Sequence, residues 1–223
     1  MRTKLADREL PNYSISEERF NYISHIVGGV VGVIALISCV IISSWKHDLI
    51  GISTSIVYGI TMTLLYSMSS IYHGLRDSIA KRVFQVLDHC AIYILIAGTY
   101  TPIALCCIRE VNPKIGWGLF IFEWSMAVIA IIFNAIDLKQ YEVFSMICNL
   151  GMGWAVVVVL PVAMKALTLG GFIYILLGGI LYTIGAVLYG LGKSKRSYMH
   201  CIFHVFVLLG SIAQLLGIMI YVL

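Results

Sequence analysis

Charged residues are scarce in this chain. Lysine and arginine together number 15 and aspartate and glutamate 11 among 223 residues, so that 12% of the chain is charged and 60% is hydrophobic. Soluble domains carry about 25% charged residues. The composition therefore excludes an ordinary soluble domain and predicts a multi-pass integral protein of the cell membrane, with membrane lipids as its immediate partners.

Several motifs are also missing from the sequence. The six cysteines show no C-x-x-C spacing, which argues against a disulfide framework. There is no Walker loop or dinucleotide-binding glycine motif, and the net charge of +4 is spread over polar turns, so we expect no nucleic-acid partner. No lysine lies within a long apolar stretch, which makes a retinal Schiff base implausible.

The hydrophobic residues form seven stretches, each long enough to cross about 30 Å of hydrocarbon as a helix. They run from Ile23 to Ser44, Leu49 to His73, Phe84 to Cys107, Ile115 to Asn134, Val143 to Met164, Gly170 to Leu191 and Cys201 to Val222. The sequence thus predicts an all-α membrane protein, with residues 23–223 forming a single seven-transmembrane helix bundle after a tail of residues 1–22. Because this tail is polar and basic, we expect the first stretch to be a retained helix and not a cleaved signal peptide.

The distribution of lysine and arginine predicts how the bundle is oriented, because these residues stay on the cytoplasmic side of helix ends. With the N-terminus inside, eleven cations fall on the cytoplasmic side: Arg2, Lys4, Arg8, Arg19, Arg76, Lys81, Arg82, Lys139, Lys193, Lys195 and Arg196. The outer side then holds only Lys46, Arg109, Lys114 and Lys165. We therefore expect a cytoplasmic N-terminal tail and a C-terminus outside.

Three histidines lie at the ends of apolar stretches. His200 and His204 are four positions apart, so on a helix their imidazoles project from one face about 6 Å apart. With His73 from another helix they form a three-histidine set, the coordination of a catalytic zinc ion with one open position. The predicted orientation places them at one membrane depth, together with His25 and His89. A single histidine near a helix end is more often bound to backbone or water, but ionisable groups gathered at one depth favour a functional site.

An aspartate and a serine accompany these histidines. Asp88 opens the third predicted helix, where a carboxylate complements the helix N-terminus. Beside three imidazoles on Zn²⁺ it either ligates the ion or orients and deprotonates a water there, and we favour the second role because three histidines already complete a catalytic-type set. Ser69 shares a helix face with His73, and its hydroxyl bonds either that water or its own helix backbone.

Three motifs give the chain a resemblance to the hemolysin III family, the bacterial branch of the progestin and adipoQ receptor superfamily. They are Glu18-Arg19-Phe20-Asn21-Tyr22-Ile23-Ser24-His25, then Ser69-x3-His73 with Leu87-Asp88-His89 and Ala97-Gly98-Thr99-Tyr100-Thr101-Pro102, and finally His200-x3-His204. The resemblance implies seven helices, a cytoplasmic N-terminus and zinc bound by His73, His200 and His204, with Asp88 and Ser69 close to the water at the metal. For Glu18, Asn21 and His25 it implies a structural or site-closing role.

These observations lead to three hypotheses. The first is a zinc-dependent hydrolase of a lipid amide or ester, in which Asp88 activates water and Ser69 assists. It agrees with the ceramide hydrolysis and hormone signalling associated with eukaryotic members. The second is a pore-forming cytolysin, as the bacterial family name implies, although no helix shows a regular polar lining. The third is a sensor or homeostasis protein with a structural zinc ion. Glu123 departs from the family pattern, and we expect it to face the bundle interior or to snorkel outward.

Overall fold

The computed structural model describes residues 3–192 and 198–223, and these residues are helical almost throughout. After a 3-10 turn (Leu5–Asp7) come α1 (Ile15–Trp45), α2 (Leu49–Gly74), α3 (Ile79–Pro102), a π-helical turn (Ile103–Ile108), α4 (Arg109–Val111), α5 (Pro113–Ile136), α6 (Glu142–Gly153), α7 (Ala155–Val158), α8 (Leu160–Ala166), α9 (Leu169–Gly192), α10 (Met199–Gly217) and a second π-helical turn (Ile218–Val222). Four of the cations that support the predicted orientation, Arg2, Lys193, Lys195 and Arg196, lie outside the described residues.

Within the described ranges, six helical segments are long and apolar enough to cross a membrane: α1, α2, α3 continued to Val111, α5, α9 and α10 continued to Val222. Their lipid-facing character is visible on α1, where Ile26, Val30 and Ile37 are each more than half exposed while Asn21 and His25 are buried. Polar groups turned inward and apolar groups turned outward are typical of a bundle in lipid. The prediction of an all-helical, multi-pass integral membrane protein is confirmed.

The fifth predicted stretch, Val143 to Met164, differs from the others because it forms the three short helices α6 to α8 instead of one long helix. The Tyr100 side chain of α3 bridges the first interruption, where its hydroxyl donates to the Gly153 carbonyl (2.9 Å) and accepts from the Val156 N–H (3.0 Å). Pro161 lies in the first turn of α8, where a missing N–H costs no helical hydrogen bond. Backbone groups at the interruption are thus satisfied by protein, as an apolar surrounding requires.

The first helix begins well before the apolar stretch that predicted it. Ser14 and Glu17 form a capping box, in which the Ser14 hydroxyl accepts from the Glu17 N–H (3.2 Å) and the Glu17 carboxylate accepts from the Ser14 N–H (2.8 Å). This start at Ile15 adds two polar turns to α1. Glu18 is therefore held on a regular helix next to the end of α2.

Helix packing brings four helix ends together. Helix α1 packs along α2, α2 along α3, and α9 along α10. Gly59 allows α1 and α2 to approach closely, since a Cβ atom at this position would lie 2.5 Å from the Leu36 Cα atom. The N-terminal turns of α1, α3 and α10 consequently meet the C-terminal end of α2 at one end of the bundle.

Candidate metal centre

Three histidine side chains converge where the end of α2 approaches the start of α10. The Nε2 atom of His200 lies 3.2 Å from Nε2 of His73 and 2.8 Å from Nε2 of His204. One ligand atom from each of the three residues lies within 4.8 Å of the other two. His73 and His204 are almost completely buried. The predicted meeting of the three residues is confirmed, and the group they form could hold a metal ion.

One of the two short separations between the donor atoms agrees with a tetrahedral ion. Zinc–nitrogen bonds of about 2.0–2.1 Å place two ligands of such an ion about 3.4 Å apart. The His73–His200 separation of 3.2 Å is close to this value, and the His200–His204 separation of 2.8 Å is somewhat shorter. Three neutral imidazole nitrogens that face one another need a proton or a cation between their lone pairs. Three protein ligands also leave a fourth position open, as catalytic zinc sites do.

A carboxylate fixes the orientation of the His73 ring. Oε2 of Glu18 lies 2.6 Å from Nδ1 of His73, and Oε1 of Glu18 accepts a hydrogen bond from Nζ of Lys81 at 2.5 Å. The Lys81 ammonium also donates to the Leu75 carbonyl (2.9 Å), and its side chain is only 8% exposed. When His73 donates its Nδ1–H to Glu18, its Nε2 lone pair is directed at the other two histidines. Glu18 and Lys81 thus form an outer layer of the site.

Asp88 and Ser69 lie beside the histidines on the wall of one cavity of about 820 Å³, which His200 and His204 also line. Ser69 interacts with the Asp88 carboxyl group, and His73 and His89 are close enough to act on it electrostatically. Among the described residues, the group that could bind a metal contains the three histidines without Asp88. The assignment of Asp88 and Ser69 to water activation stays a prediction.

Aromatic rings surround the histidines. The Tyr13 ring stacks on His200 with centroids 4.8 Å apart and an interplanar angle of 19°. Tyr13 precedes α1, and its burial raises the pKa of its hydroxyl well above the usual range, so this phenol stays protonated. On the inner side, the His25 ring lies 3.8 Å from that of His204 and meets Tyr66 edge-on. His25 therefore contacts the histidine group without belonging to it.

Sequence reasoning missed two parts of this site. Lys81 counts in the sequence only as a cation of a polar turn, and Tyr13 lies in a tail that carries no spacing signal. Glu18 belongs to a motif to which the family resemblance assigns a structural or site-closing role, and its contact with His73 gives that role a definite form. A pattern of histidines alone does not indicate which carboxylate will support them.

Glu123, the residue that departs from the family pattern, lies near the middle of α5 and is completely buried. Among the described residues, neither of its carboxylate oxygens has a hydrogen-bond partner. It does not line the cavity that holds the histidines. The structure thus places Glu123 in the bundle interior, the first of the two expected positions, and apart from the candidate metal centre.

Comparison with known proteins connects this site to a family. Residues 13–215 match the family model described as "Haemolysin-III related". The chain is 36% identical over 209 residues to Hemolysin-3 of Bacillus cereus, an alignment that covers 94% of this chain and 93% of the relative. It is 33% identical over 209 residues to the Hemolysin-3 homolog of Bacillus subtilis (strain 168), covering 94% and 96% respectively. The resemblance inferred from the motifs is therefore confirmed across nearly the whole sequence.

Proposed function

The chain belongs to the haemolysin-III-related family, and from this premise we propose that it is a zinc-dependent membrane hydrolase acting on a lipid amide or ester. The observation that carries this proposal is the convergence of His73, His200 and His204, the last two of which line a cavity that Asp88 also lines. Three histidine ligands with an open position are the protein part of many hydrolytic zinc sites.

The residues around the histidines have separate tasks in this reaction. A zinc ion held by them would polarise the substrate carbonyl and lower the pKa of a water molecule in the site. Asp88 accepts the proton of that water as the water oxygen attacks the carbonyl carbon. It then returns the proton to the amide nitrogen or the ester oxygen of the leaving group as the C–N or C–O bond breaks. Ser69 keeps the Asp88 carboxyl group in place, and Glu18 keeps His73 in the tautomer that presents Nε2.

The cavity suits a lipid because the polarity of the cavity walls changes along the length of the cavity. Beyond the histidines its lining is mostly apolar, with a few uncharged polar side chains such as Thr99 and Gln214; the apolar residues include Leu65, Ile92, Leu95, Ile103, Ile175 and Val207. Towards the other end it is lined by the polar residues that precede α1. An acyl chain in the apolar part would bring an amide or ester group to the level of Asp88.

We further propose that the bundle crosses the membrane seven times, with the N-terminus in the cytoplasm and the C-terminus outside. Helices α6 to α8 provide the seventh crossing, because residues 142–166 reach about 37 Å at 1.5 Å per residue, and about 30 Å is enough. The excess of cations on one side supports the orientation. The histidines then lie in the cytoplasmic leaflet, which reporter fusions at either terminus can test.

Metal analysis and a lipid-product screen test the hydrolase proposal. Purified protein should contain about one zinc ion per chain, and His200→Ala should lose it because two imidazoles remain. Mass spectrometry of lipids incubated with the wild type should show a hydrolysis product that Asp88→Asn does not form. Full metal retention by His200→Ala would exclude the site, and identical lipid profiles for the two proteins would exclude the reaction.

A pore-forming function is the second candidate, because one relative is named Hemolysin-3 and the other Hemolysin-3 homolog. In this case the metal would only tie α2 to α10. Dye release from liposomes separates the two proposals. Release that persists in Asp88→Asn and after metal removal favours a pore, whereas no release at any protein concentration excludes one.

A further inference from the structure

Residues 3–14, here called the N-terminal strap, cross the end of the bundle at which the histidines meet. Arg8 fixes the middle of the strap, since its Nη2 atom donates to the Ile136 carbonyl at 2.7 Å, at the C-terminus of α5. A cation is favoured at a helix C-terminus. The Arg8 carbonyl in turn accepts from Nε of Arg82 on α3 at 3.0 Å. The strap is therefore attached to α3 and α5 and does not simply continue α1.

The two ends of the strap are also fixed. The Thr3 N–H donates to the Asp137 carboxylate at 2.9 Å. At the other end, the Tyr13 ring covers the ring of His200. The strap thus begins on the turn after α5 and ends on one of the three candidate metal ligands.

The strap forms a wall of the cavity that His200 and His204 line. On this side the cavity is lined by Thr3, Asp7, Arg8, Glu9, Leu10 and Pro11. In the opposite direction the lining is mostly apolar, with the uncharged polar side chains of Thr99, Thr183 and Gln214, and a hydrated ion would lose most of its water contacts there. Among the described residues, the charged groups that line the cavity lie on the strap side, so we expect a metal ion to approach the histidines along the strap.

The charges at the strap end of the cavity favour cations. The lining contains the carboxylates Asp7, Glu9, Asp88, Asp137 and Glu142 and the cations Arg8 and Lys139. An excess of one sign in a cleft with low-dielectric walls concentrates ions of the opposite sign. Arg8 itself brings a tethered positive charge into this approach, and its side chain is buried to more than nine-tenths.

We propose that the N-terminal strap is a lid on the route by which metal ions reach and leave His73, His200 and His204, and that Arg8 is its latch. This inference depends on the proposed metal site, but it concerns how metal ions reach that site and not the reaction. In the closed position, Tyr13 shields His200 and the Arg8 guanidinium holds the strap against α5. Metal exchange requires the strap to leave α5.

The contacts of Arg8 are suited to a latch that can open. Its Nη2 atom is well bonded, but Nε and Nη1 are buried and have no hydrogen-bond partner among the described residues. Burying donors without partners costs free energy that opposes closure. This cost offsets part of the stabilisation from the other strap contacts, so loss of the Nη2 hydrogen bonds should release the strap from α5.

Metal release from full-length protein in lipid nanodiscs tests the lid. Wild type and Arg8→Gln are loaded with Zn²⁺, mixed with excess EDTA, and the metal remaining on the protein is measured over time. Arg8→Gln should release zinc at least about tenfold faster, which is the equivalent of one lost charge-assisted hydrogen bond. The two proteins should contain the same amount of zinc before EDTA is added. A release rate within about twofold of the wild type would overturn the lid, since a twofold change is far below the effect of one such bond.

Lys4→Gln is the matched control. Lys4 lies in the strap close to Arg8, but it is exposed and does not line the cavity. Its release rate should equal that of the wild type. A faster rate in this variant as well would show that any change in the strap affects exchange, and Arg8 would not be the latch.

Amide hydrogen exchange on the metal-free proteins separates failure of the lid from failure of the metal site. In Arg8→Gln, amides of residues 3–13 should exchange faster while those of α2 and α10 stay protected, whether or not zinc binds. Unchanged exchange in the strap would overturn the latch. Asp137→Asn, which weakens the Thr3 contact, serves as a second variant if Arg8→Gln does not fold, with the same expected directions.

Discussion

Replacing Glu18 by alanine should weaken metal binding and destabilise the fold by two separable routes. The change removes the acceptor of the His73 Nδ1–H and, at the same time, the counter-ion of Lys81. The first loss frees the His73 ring to rotate and to change tautomer. The second leaves an almost completely buried ammonium group whose remaining hydrogen-bond partner, among the described residues, is the Leu75 carbonyl.

Both effects can be given a magnitude. Loss of a carboxylate that orients a metal-ligating histidine lowers metal affinity by about 10- to 100-fold, which corresponds to about 1.4–2.8 kcal/mol. Removing one partner of a buried ion pair costs about 3–5 kcal/mol of unfolding free energy. Because the Glu18 side chain is 20% exposed and Lys81 keeps a carbonyl partner, we expect the cost at the lower end, about 3 kcal/mol.

Competition with a chelator of known affinity measures the first effect, and denaturant unfolding in detergent measures the second. Asp77→Asn is the control, since Asp77 pairs with Arg82 on the same end of the bundle but is 74% exposed. In Glu18→Ala with Lys81→Met, stability should largely return because no buried charge is left unpaired, while metal affinity should stay below that of the wild type. Wild-type metal affinity in Glu18→Ala would refute the assigned role of Glu18.

Three further outcomes follow from the packing and the loops. Tyr100→Phe should lower the unfolding free energy by about 2 kcal/mol in denaturant titrations, because one hydroxyl makes two hydrogen bonds at the interruption between α6 and α7. Gly59→Ala should lower the thermal midpoint through a cost of about 1–3 kcal/mol for overpacking, whereas Gly118→Ala, with no atom within 4 Å of the added Cβ, should not. A hydrogen bond from the Thr3 N–H is the main cause that lowers the pKa of Asp137 from 3.8 to about 2, so the stabilisation from its ionised form is complete above pH 3.8 and is lost as the pH falls through 2. The difference in thermal midpoint between wild type and Asp137→Asn should accordingly close between pH 4 and pH 2.

The histidine group could be predicted from sequence because few geometric choices were open. His200 and His204 share a helix face whatever the tertiary structure, and the end of one apolar stretch and the start of another fix where His73 can lie. The helical stretches themselves follow from hydropathy, since lipid admits few other backbone arrangements. Both constraints, the spacing of residues on one helix and the length needed to cross the bilayer, can be recognised in a single sequence.

The supporting residues could not be predicted because their contacts depend on side chains far apart in sequence. Lys81 reaches Glu18 across 63 positions, and Thr3 reaches Asp137 across 134. The interruption between α6 and α7 involves the hydroxyl of Tyr100, which hydropathy does not detect. Each of these depends on helix packing at the level of single atoms, and no periodicity in the sequence encodes it.

The charge arrangement at the site explains why Lys81 is buried there at all. Glu18 is needed as an acceptor for His73, but a second carboxylate close to Asp88 would add negative charge in a poorly solvated cavity. Lys81 cancels the charge of Glu18 while leaving its Oε2 atom free to accept from the His73 ring. Asp88 lies on the cavity wall beside the histidines and stays apart from this ion pair. In the proposed reaction, the ammonium group would thus separate Glu18, which orients His73, from Asp88, which accepts a proton.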